Sequence, residues 1–326
     1  MQPVPQEGCL KSEIYLFFQK IRMKKLGTGL IMGLMALTSC AQKEDIVKGD
    51  KSLLWKISGN GLEKPSYLFG TIHMLCKDDA YLGENMVKAI KNADAVYLEL
   101  DMDNLYDMLS VMNKMNMRND TTLSDLLTDE EYQKVKKLFT EKNSILPFSM
   151  IEKYKPMLAS ALLMESTMVC DEQVAMEQLV MEEAKKQGKS IEGMETTAYQ
   201  MSIFDSIPYK IQAQELVRMV SEEGKEADGE KELKSMMDAY KDQDLNKLGE
   251  MISKSDAGMM QYEDILLNNR NYNWVEKLKK LMPEKSLVVA VGAGHLPGEK
   301  GVINLLRKAG FTVEPIVNKT RKTKEI

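Results

Sequence analysis

Short apolar runs alternate with amphipathic ones from residue 53 to residue 316. Residues 53–57 (LLWKI) and 66–69 (SYLF) are brief runs of aliphatic and aromatic residues. The turn between them passes through Gly59-Asn60-Gly61, which predicts two paired strands. Residues 84–92 carry a helical spacing, and 95–100 (AVYLEL) return as a strand. The middle of the chain is helical. Thr128-Asp129-Glu130-Glu131 is a capping-box pattern, and it opens a helix whose apolar face is Tyr132, Val135, Leu138 and Phe139. Helices are predicted over 155–168 and 173–187, the second stopped by Gly188, followed by a short strand over 190–194. From about 198 to 281 helices dominate. The chain closes with a buried-type strand over 287–291, a helix over 301–309 and a strand over 312–316.

Strands at both ends with helices between them predict an α/β domain. Its expected form is a central mixed sheet flanked by helices, with a helical insert. Residues 53–317 are expected to be one such domain, because no Pro/Gly/Ser linker or tandem repeat divides them. The polar stretch 221–230 (SEEGKEADGE) and Arg118-Asn119-Asp120 read as surface loops within it. Methionine is abundant, 26 in all, and its helical spacing points to core filling more than to a metal site.

The N-terminus follows different rules. Met23-Lys24-Lys25, an apolar stretch to Leu37, and then Leu37-Thr38-Ser39-Cys40 form a basic, apolar, small-residue succession typical of an export signal. The apolar run is shorter than the ~20 residues needed to span a bilayer as a helix. Leu-Thr-Ser-Cys resembles the lipobox of bacterial lipoproteins, so Cys40 is the expected site of lipidation. On this reading 1–22 are an over-extended start, 23–39 the signal, 40–52 a tether and 318–326 a basic tail. The expected location is the bacterial cell envelope, lipid-anchored at the outer membrane. Gln42-Lys43-Glu44-Asp45 resembles an export tag of surface lipoproteins, leaving surface exposure open.

Removing 1–39 lowers Lys+Arg from 44 to 39 and Asp+Glu from 49 to 47, so the formal charge moves from -5 to -8. An acidic chain without a basic stripe excludes nucleic acid as the expected partner. Beyond Cys40, the exported chain keeps Cys76 and Cys170. An oxidising envelope and exactly two remaining cysteines predict a Cys76–Cys170 disulfide.

Two histidines occur in the whole chain, His73 and His295, and each closes a Gly-x-x-His tetrapeptide after an apolar run: Gly70-Thr71-Ile72-His73 and Gly292-Ala293-Gly294-His295. Histidine transfers protons near neutrality and binds transition metals. One such histidine would read as a hydrogen-bonded corner residue; the duplicated context favours chemistry. Gly70, Gly292 and Gly294 would let a backbone or a bound cofactor approach closely.

These segments together resemble the TraB/GumN family, which includes the TIKI-type metalloproteases. The similarity runs through Leu54-Trp55-Lys56-Ile57, Tyr67 to His73, Tyr97-Leu98-Glu99-Leu100-Asp101, Gly193-Met194-Glu195-Thr196, Asn269-Arg270-Asn271 with Trp274, and Val291 to Gly298. The resemblance implies a fold like that of ChaN-type haem-binding lipoproteins and erythromycin esterases. For the TIKI branch it implies metal-dependent proteolysis using both histidines and a glutamate.

Residue chemistry agrees with a site at the strand ends. Two imidazoles and one carboxylate can hold a divalent metal and leave a position for water. His73, His295 and Glu99 are the expected metal ligands, the metal being Mn, Co or Zn. Glu195 and Arg270 are further candidates for catalysis, Arg270 as oxyanion or substrate-carboxylate partner. Each also has a plainer reading: Glu99 as a solvated strand-end acid, Glu195 as a helix N-terminal residue, Arg270 as a structural ion pair. The expected function is a metal-dependent hydrolase acting on a peptide or protein. A haem- or iron-binding lipoprotein without turnover is the alternative, and a catalytically silent interaction protein a third reading.

Overall fold

The computed structural model describes residues 51–319 except 102–110, 142–145, 167, 169, 171, 223–225 and 255–259. Cys40 and the leader before it lie outside the described residues, as do 320–326. In chain order the strands are β1 Leu54–Ser58, β2 Ser66–Thr71, β3 Leu75–Cys76, β4 Ala95–Leu100, β5 Gln173–Val174, β6 Ser190–Glu195, β7 Leu287–Gly292 and β8 Thr312–Ile316.

The first two strands form because the Gly59-Asn60-Gly61 turn can take the left-handed backbone that a tight reversal needs. All three residues have positive φ (76°, 49° and 82°), and the hairpin pairs Leu54 with Phe69. β1 also pairs antiparallel with β8. The other pairings of this six-stranded sheet are parallel, and its order is β6-β4-β7-β2-β1-β8, while β3 and β5 form a separate antiparallel pair. The sheet is therefore mixed, with an α/β parallel half and an antiparallel edge.

Parallel strands must cross over through covering layers, and their sequences show it. Leu287, Val288, Val289, Ala290 and Val291 of central β7 are all buried. Helix Glu84–Asn92 turns Met86, Ala89 and Ile90 inward and packs on helix Met176–Lys186. Helix Asn269–Leu281 packs on helix Val302–Lys308, which buries Val302, Ile303, Leu305 and Leu306. Several methionines, Met86, Met176, Met194 and Met282 among them, fill this core.

The helical insert has a core of its own. Val135, Leu138 and Phe139 of helix Asp129–Glu141 meet Ala159 and Leu163 of helix Pro156–Ser166, together with Ala213 and Leu216 of helix Tyr209–Glu222. The expected capping box is present: Glu131 accepts from Thr128 N at 2.9 Å and its own N–H donates to Thr128 Oγ1 at 3.3 Å.

The sheet's polarity positions the site. β2, β7, β4 and β6 all end at the same edge, so the residues at or just beyond their carboxyl ends share one crevice, where α/β sheets bind ligands.

Some elements differ from expectation. The 173–187 segment is not one helix: Gln173–Val174 pairs antiparallel with Leu75–Cys76, and the helix begins only at Met176. Strand pairing and the adjacent Cys76–Cys170 disulfide override local helix preference. Within the polar 221–230 stretch, Glu226 already opens helix Glu226–Lys241, because the following turns bury Ala239 and Tyr240. Arg118–Asp120 is the expected exposed turn, with positive φ at Asn119 and Asp120. Asn318 belongs to the domain: it is buried, accepts from Met86 N and donates to Leu82 O. No helix of the described residues is long and apolar enough to cross a membrane.

The disulfide closes a loop of 94 residues. In the chain-entropy account such a closure stabilises by about 5 kcal/mol. A Cys76→Ser/Cys170→Ser double variant should therefore unfold at clearly lower denaturant, by that order of free energy. Matching midpoints for the variant and the oxidised wild type would contradict it.

Candidate functional site

Arg270 organises the site from the start of helix Asn269–Leu281. A turn of π-helix, Asp264–Asn268, leads into that helix, and Leu266 O accepts from Arg270 Nη1 at 3.0 Å. Local spacing puts Arg270 and Trp274 on one face, and the guanidinium lies over the indole at 4.8 Å. A guanidinium has five N–H donors and no acceptor. All five are used. Nε donates to both oxygens of Glu195, at 3.1 and 3.2 Å. Nη2 donates to Glu99 Oε2 at 2.5 Å and to Glu195 Oε1 at 2.6 Å. Nη1 donates to Leu266 O and to His295 Nε2, the latter at 3.0 Å.

That last contact sets the state of His295. Because arginine only donates, Nε2 must accept, so the ring proton sits on Nδ1 and is donated to Asn271 Oδ1 at 2.6 Å. Asn271 is held in turn by its Nδ2 donating to Lys300 O. The ring is buried and lies 4.4 Å from the Trp274 ring. Burial, with the Arg270 charge beside it, pushes the His295 pKa down to about 4, against the pull of Glu99. His295 is a neutral, fully engaged imidazole.

The two carboxylates separate in character. Burial alone would raise Glu99. It is outweighed by the His295 ring (charged in the acid range where Glu99 titrates), by Arg270 and by the Gly292 N–H at 2.8 Å, which hold it at about 2. For Glu195 burial wins over Arg270 and Trp274 Nε1, and its pKa is raised. Two acids sharing one cation are thus pushed apart, a pattern that marks acid–base sites. Gln200 Nε2 bridges them, 3.4 Å from Glu99 and 3.3 Å from Glu195.

His73 lies beyond β2, at the same sheet edge, where Thr71 pairs with Gly292 of β7. The two Gly-x-x-His motifs do reach one edge from adjacent strands, but in different states. The His73 side chain is 72% exposed, whereas that of His295 is 6% exposed. His73 Nδ1 donates to Glu177 Oε1 at 2.9 Å, and this hydrogen bond raises the His73 pKa, to about 9. Glu99 and Arg270 are near enough to act on His73 electrostatically, with opposite signs.

The glycines admit neighbouring protein groups. A Cβ on Gly70 would stand 3.1 Å from Ala293 Cβ, one on Gly292 3.1 Å from Glu99 Oε1, and one on Gly294 2.6 Å from Ile252 Cδ1. Gly70, Gly292 and Gly294 therefore permit tight closure of the crevice wall, where sequence suggested contact with a cofactor.

Sequence chemistry suggested a divalent metal on His73, His295 and Glu99. The donor types are suitable, but the arrangement does not fit the ion. His295 Nε2 and both glutamates face the Arg270 guanidinium, and His73 Nδ1 faces Glu177. Among the described residues no three His, Cys, Asp or Glu side chains converge on a metal position. A haem iron would find His73 Nε2 as its one imidazole nitrogen away from these contacts.

Residues that sequence reasoning did not assign complete the site: Glu177 behind His73, Asn271 behind His295, and Gln200. Asn271 is adjacent to Arg270 in the quoted motif, so its sequence position was a usable signal. Glu177 stands among the surface acids of an amphipathic helix and carries no distinguishing local pattern.

The depressed His295 pKa has a measurable sign. The unfolded chain takes up this proton near pH 6.5, the folded chain only near 4. Stability present above 6.5 should therefore fall as the pH drops toward 4, by on the order of 3 kcal/mol. Denaturant titrations across this range should show the acid limb in wild type and a flatter one in His295→Gln. Equal slopes in the two proteins would contradict the assignment.

Comparison with known proteins agrees with this layout. The model of the TraB/PrgY/gumN family matches residues 53–315, which includes every site residue described above and every strand except the last residue of β8. The chain is 23% identical over 318 residues to a protein named metalloprotease TIKI2 from Danio rerio, covering 82% of this chain and 61% of that relative's length. It is 25% identical over 248 residues to the uncharacterized protein YbaP of Shigella flexneri, covering 74% of this chain and 88% of the relative. The YbaP protein of Escherichia coli strain K12 is likewise 25% identical over 247 residues. No solved structure matches. The chain belongs to the TraB/PrgY/gumN family.

Proposed function

We propose that this protein is a peptide-bond hydrolase of the cell envelope, anchored by lipid on Cys40, with His73 as its proton-transferring group. The observation that carries this reading is the contrast at the sheet edge. His295, Glu99, Glu195 and Arg270 are locked to one another, while His73 is held at Nδ1 on a largely exposed side chain. The name of the TIKI2 relative, a metalloprotease, supports proteolysis as the reaction class. The Leu37-Thr38-Ser39-Cys40 succession after a basic and apolar leader supports the anchor.

In amide hydrolysis a water oxygen bonds to the carbonyl carbon, the C–N bond breaks, and a proton passes from water to the leaving nitrogen. His73 Nε2, deprotonated above the raised pKa of about 9, takes that proton and returns it to the amine. Glu177 faces the imidazolium formed between the two transfers. The Arg270 cluster is a preorganised polar wall whose charges are set before substrate arrives, so little reorganisation accompanies the reaction. No step is assigned to a metal, because the donors are engaged by Arg270.

A peptide-library screen with the detergent-solubilised full chain tests this reading, run with EDTA and with added Mn, Co or Zn. Cleavage should persist in EDTA and fall at least ~100-fold in His73→Asn, with the circular dichroism of the fold retained. An absence of cleavage under every condition would refute hydrolysis. Cleavage seen only with added metal would keep the hydrolase and overturn the arginine-filled centre.

A further inference from the structure

Glu177 is buried in the first turn of helix Met176–Lys186, between buried Met176 and exposed Gln178. Its Oε1 accepts from Thr71 Oγ1 at 2.6 Å and from His73 Nδ1 at 2.9 Å. Its Oε2 is buried without a hydrogen-bond partner. Burying a carboxylate costs several kcal/mol unless a charged or donating partner offsets it. A neutral side chain could have satisfied Thr71 without that cost. The arrangement makes sense where a charge is needed beside the imidazole.

The backbone around Glu177 is tied to the His73 segment at four successive points. Met176 N donates to Ile72 O at 3.0 Å, β5 pairs with β3 through Leu75–Val174 and Cys76–Gln173, and Cys76 is bonded to Cys170. Chain segments about a hundred residues apart in sequence are thereby clamped together, with the carboxylate and the ring facing each other at the end of the clamp. Tyr240, whose OH donates to Gly70 O, closes the buried side near Glu177.

We propose that Glu177 is the positioning residue of the site: its carboxylate fixes the proton of His73 on Nδ1 and points Nε2 at the substrate, and the β3–β5 ladder with its disulfide holds it there. This rests on the hydrolase reading for its consequence in turnover, but not for the geometry itself. The logic is that of a carboxylate orienting a catalytic histidine, with the tautomer set by the second hydrogen bond.

Two ring systems suffice for a direct test, because the chain has two histidines. Histidine ¹⁵N-labelled full chain in detergent is compared with Glu177→Gln by ring ¹H–¹⁵N correlation spectra, alongside kcat and KM on a cleaved peptide. The proposal expects the His73 ring nitrogens to move while those of His295 stay in place. It also expects kcat to fall by roughly 100-fold with KM changed less than about twofold. Unshifted His73 signals overturn the proposal whatever happens to activity. Shifted signals with unchanged kcat overturn the positioning role. Should wild type cleave nothing, the hydrolase reading fails, while the ring signals still decide whether Glu177 sets His73. Glu177→Asp, which keeps the charge but withdraws it from the ring, replaces Glu177→Gln if the latter loses the His295 signature of the folded chain. It must move the His73 signals in its turn, and unshifted signals there refute the proposal.

Discussion

A single guanidinium with every donor engaged is the constraint on which the rest of the site depends. Arg270 gives its N–H groups to Glu99, Glu195, His295 and Leu266 and its face to Trp274. Two buried carboxylates this close would repel each other, and without a cation between them one would be held protonated. With Arg270 present, Glu99 stays anionic and Glu195 is left with a raised pKa. The same residue forces His295 into its neutral Nδ1–H tautomer. Such a cluster is weak evidence of stability, since apolar replacement of buried ion pairs is often neutral or stabilising. What it does fix is the charge pattern at the sheet edge.

The fold supplies the cluster by bringing distant segments to that edge. β4 carries Glu99, β6 ends in Glu195, β7 leads to His295 and β2 leads to His73. Three of these strands lie side by side as β4-β7-β2, with β6 outside β4. The crossovers that such parallel pairing requires are made by helices, and one of them, Asn269–Leu281, delivers Arg270, Asn271 and Trp274 together. Crevice and cation are thus products of one topological choice.

Much of this was legible in the sequence, and the reasons are local. Strand runs bounded by glycines, the 59–61 turn and the Thr128 capping box each reflect short-range chemistry, and each formed as expected. The Gly-x-x-His repeats, Glu99 and Glu195 were visible because strand-end polar residues stand out against apolar runs, and Arg270, on a helix, because Asn269-Arg270-Asn271 with Trp274 resembles a family element. What sequence did not reveal was set by contacts between remote segments. The β5 strand exists only because β3 pairs with it. The two histidines have matching motifs and opposite environments, because the partner of one is Glu177 and the partners of the other are Arg270 and Asn271. A metal triad is a reasonable inference from donor types alone. It omits the arginine that the topology places among those donors.

Anomalous diffraction from crystals of the full chain grown with Mn²⁺ tests this centre most directly. The account predicts the Arg270 guanidinium between Glu99, Glu195 and His295, with no anomalous peak among those three side chains. A manganese peak bonded to His295 Nε2 and a glutamate, with Arg270 swung aside, would contradict it.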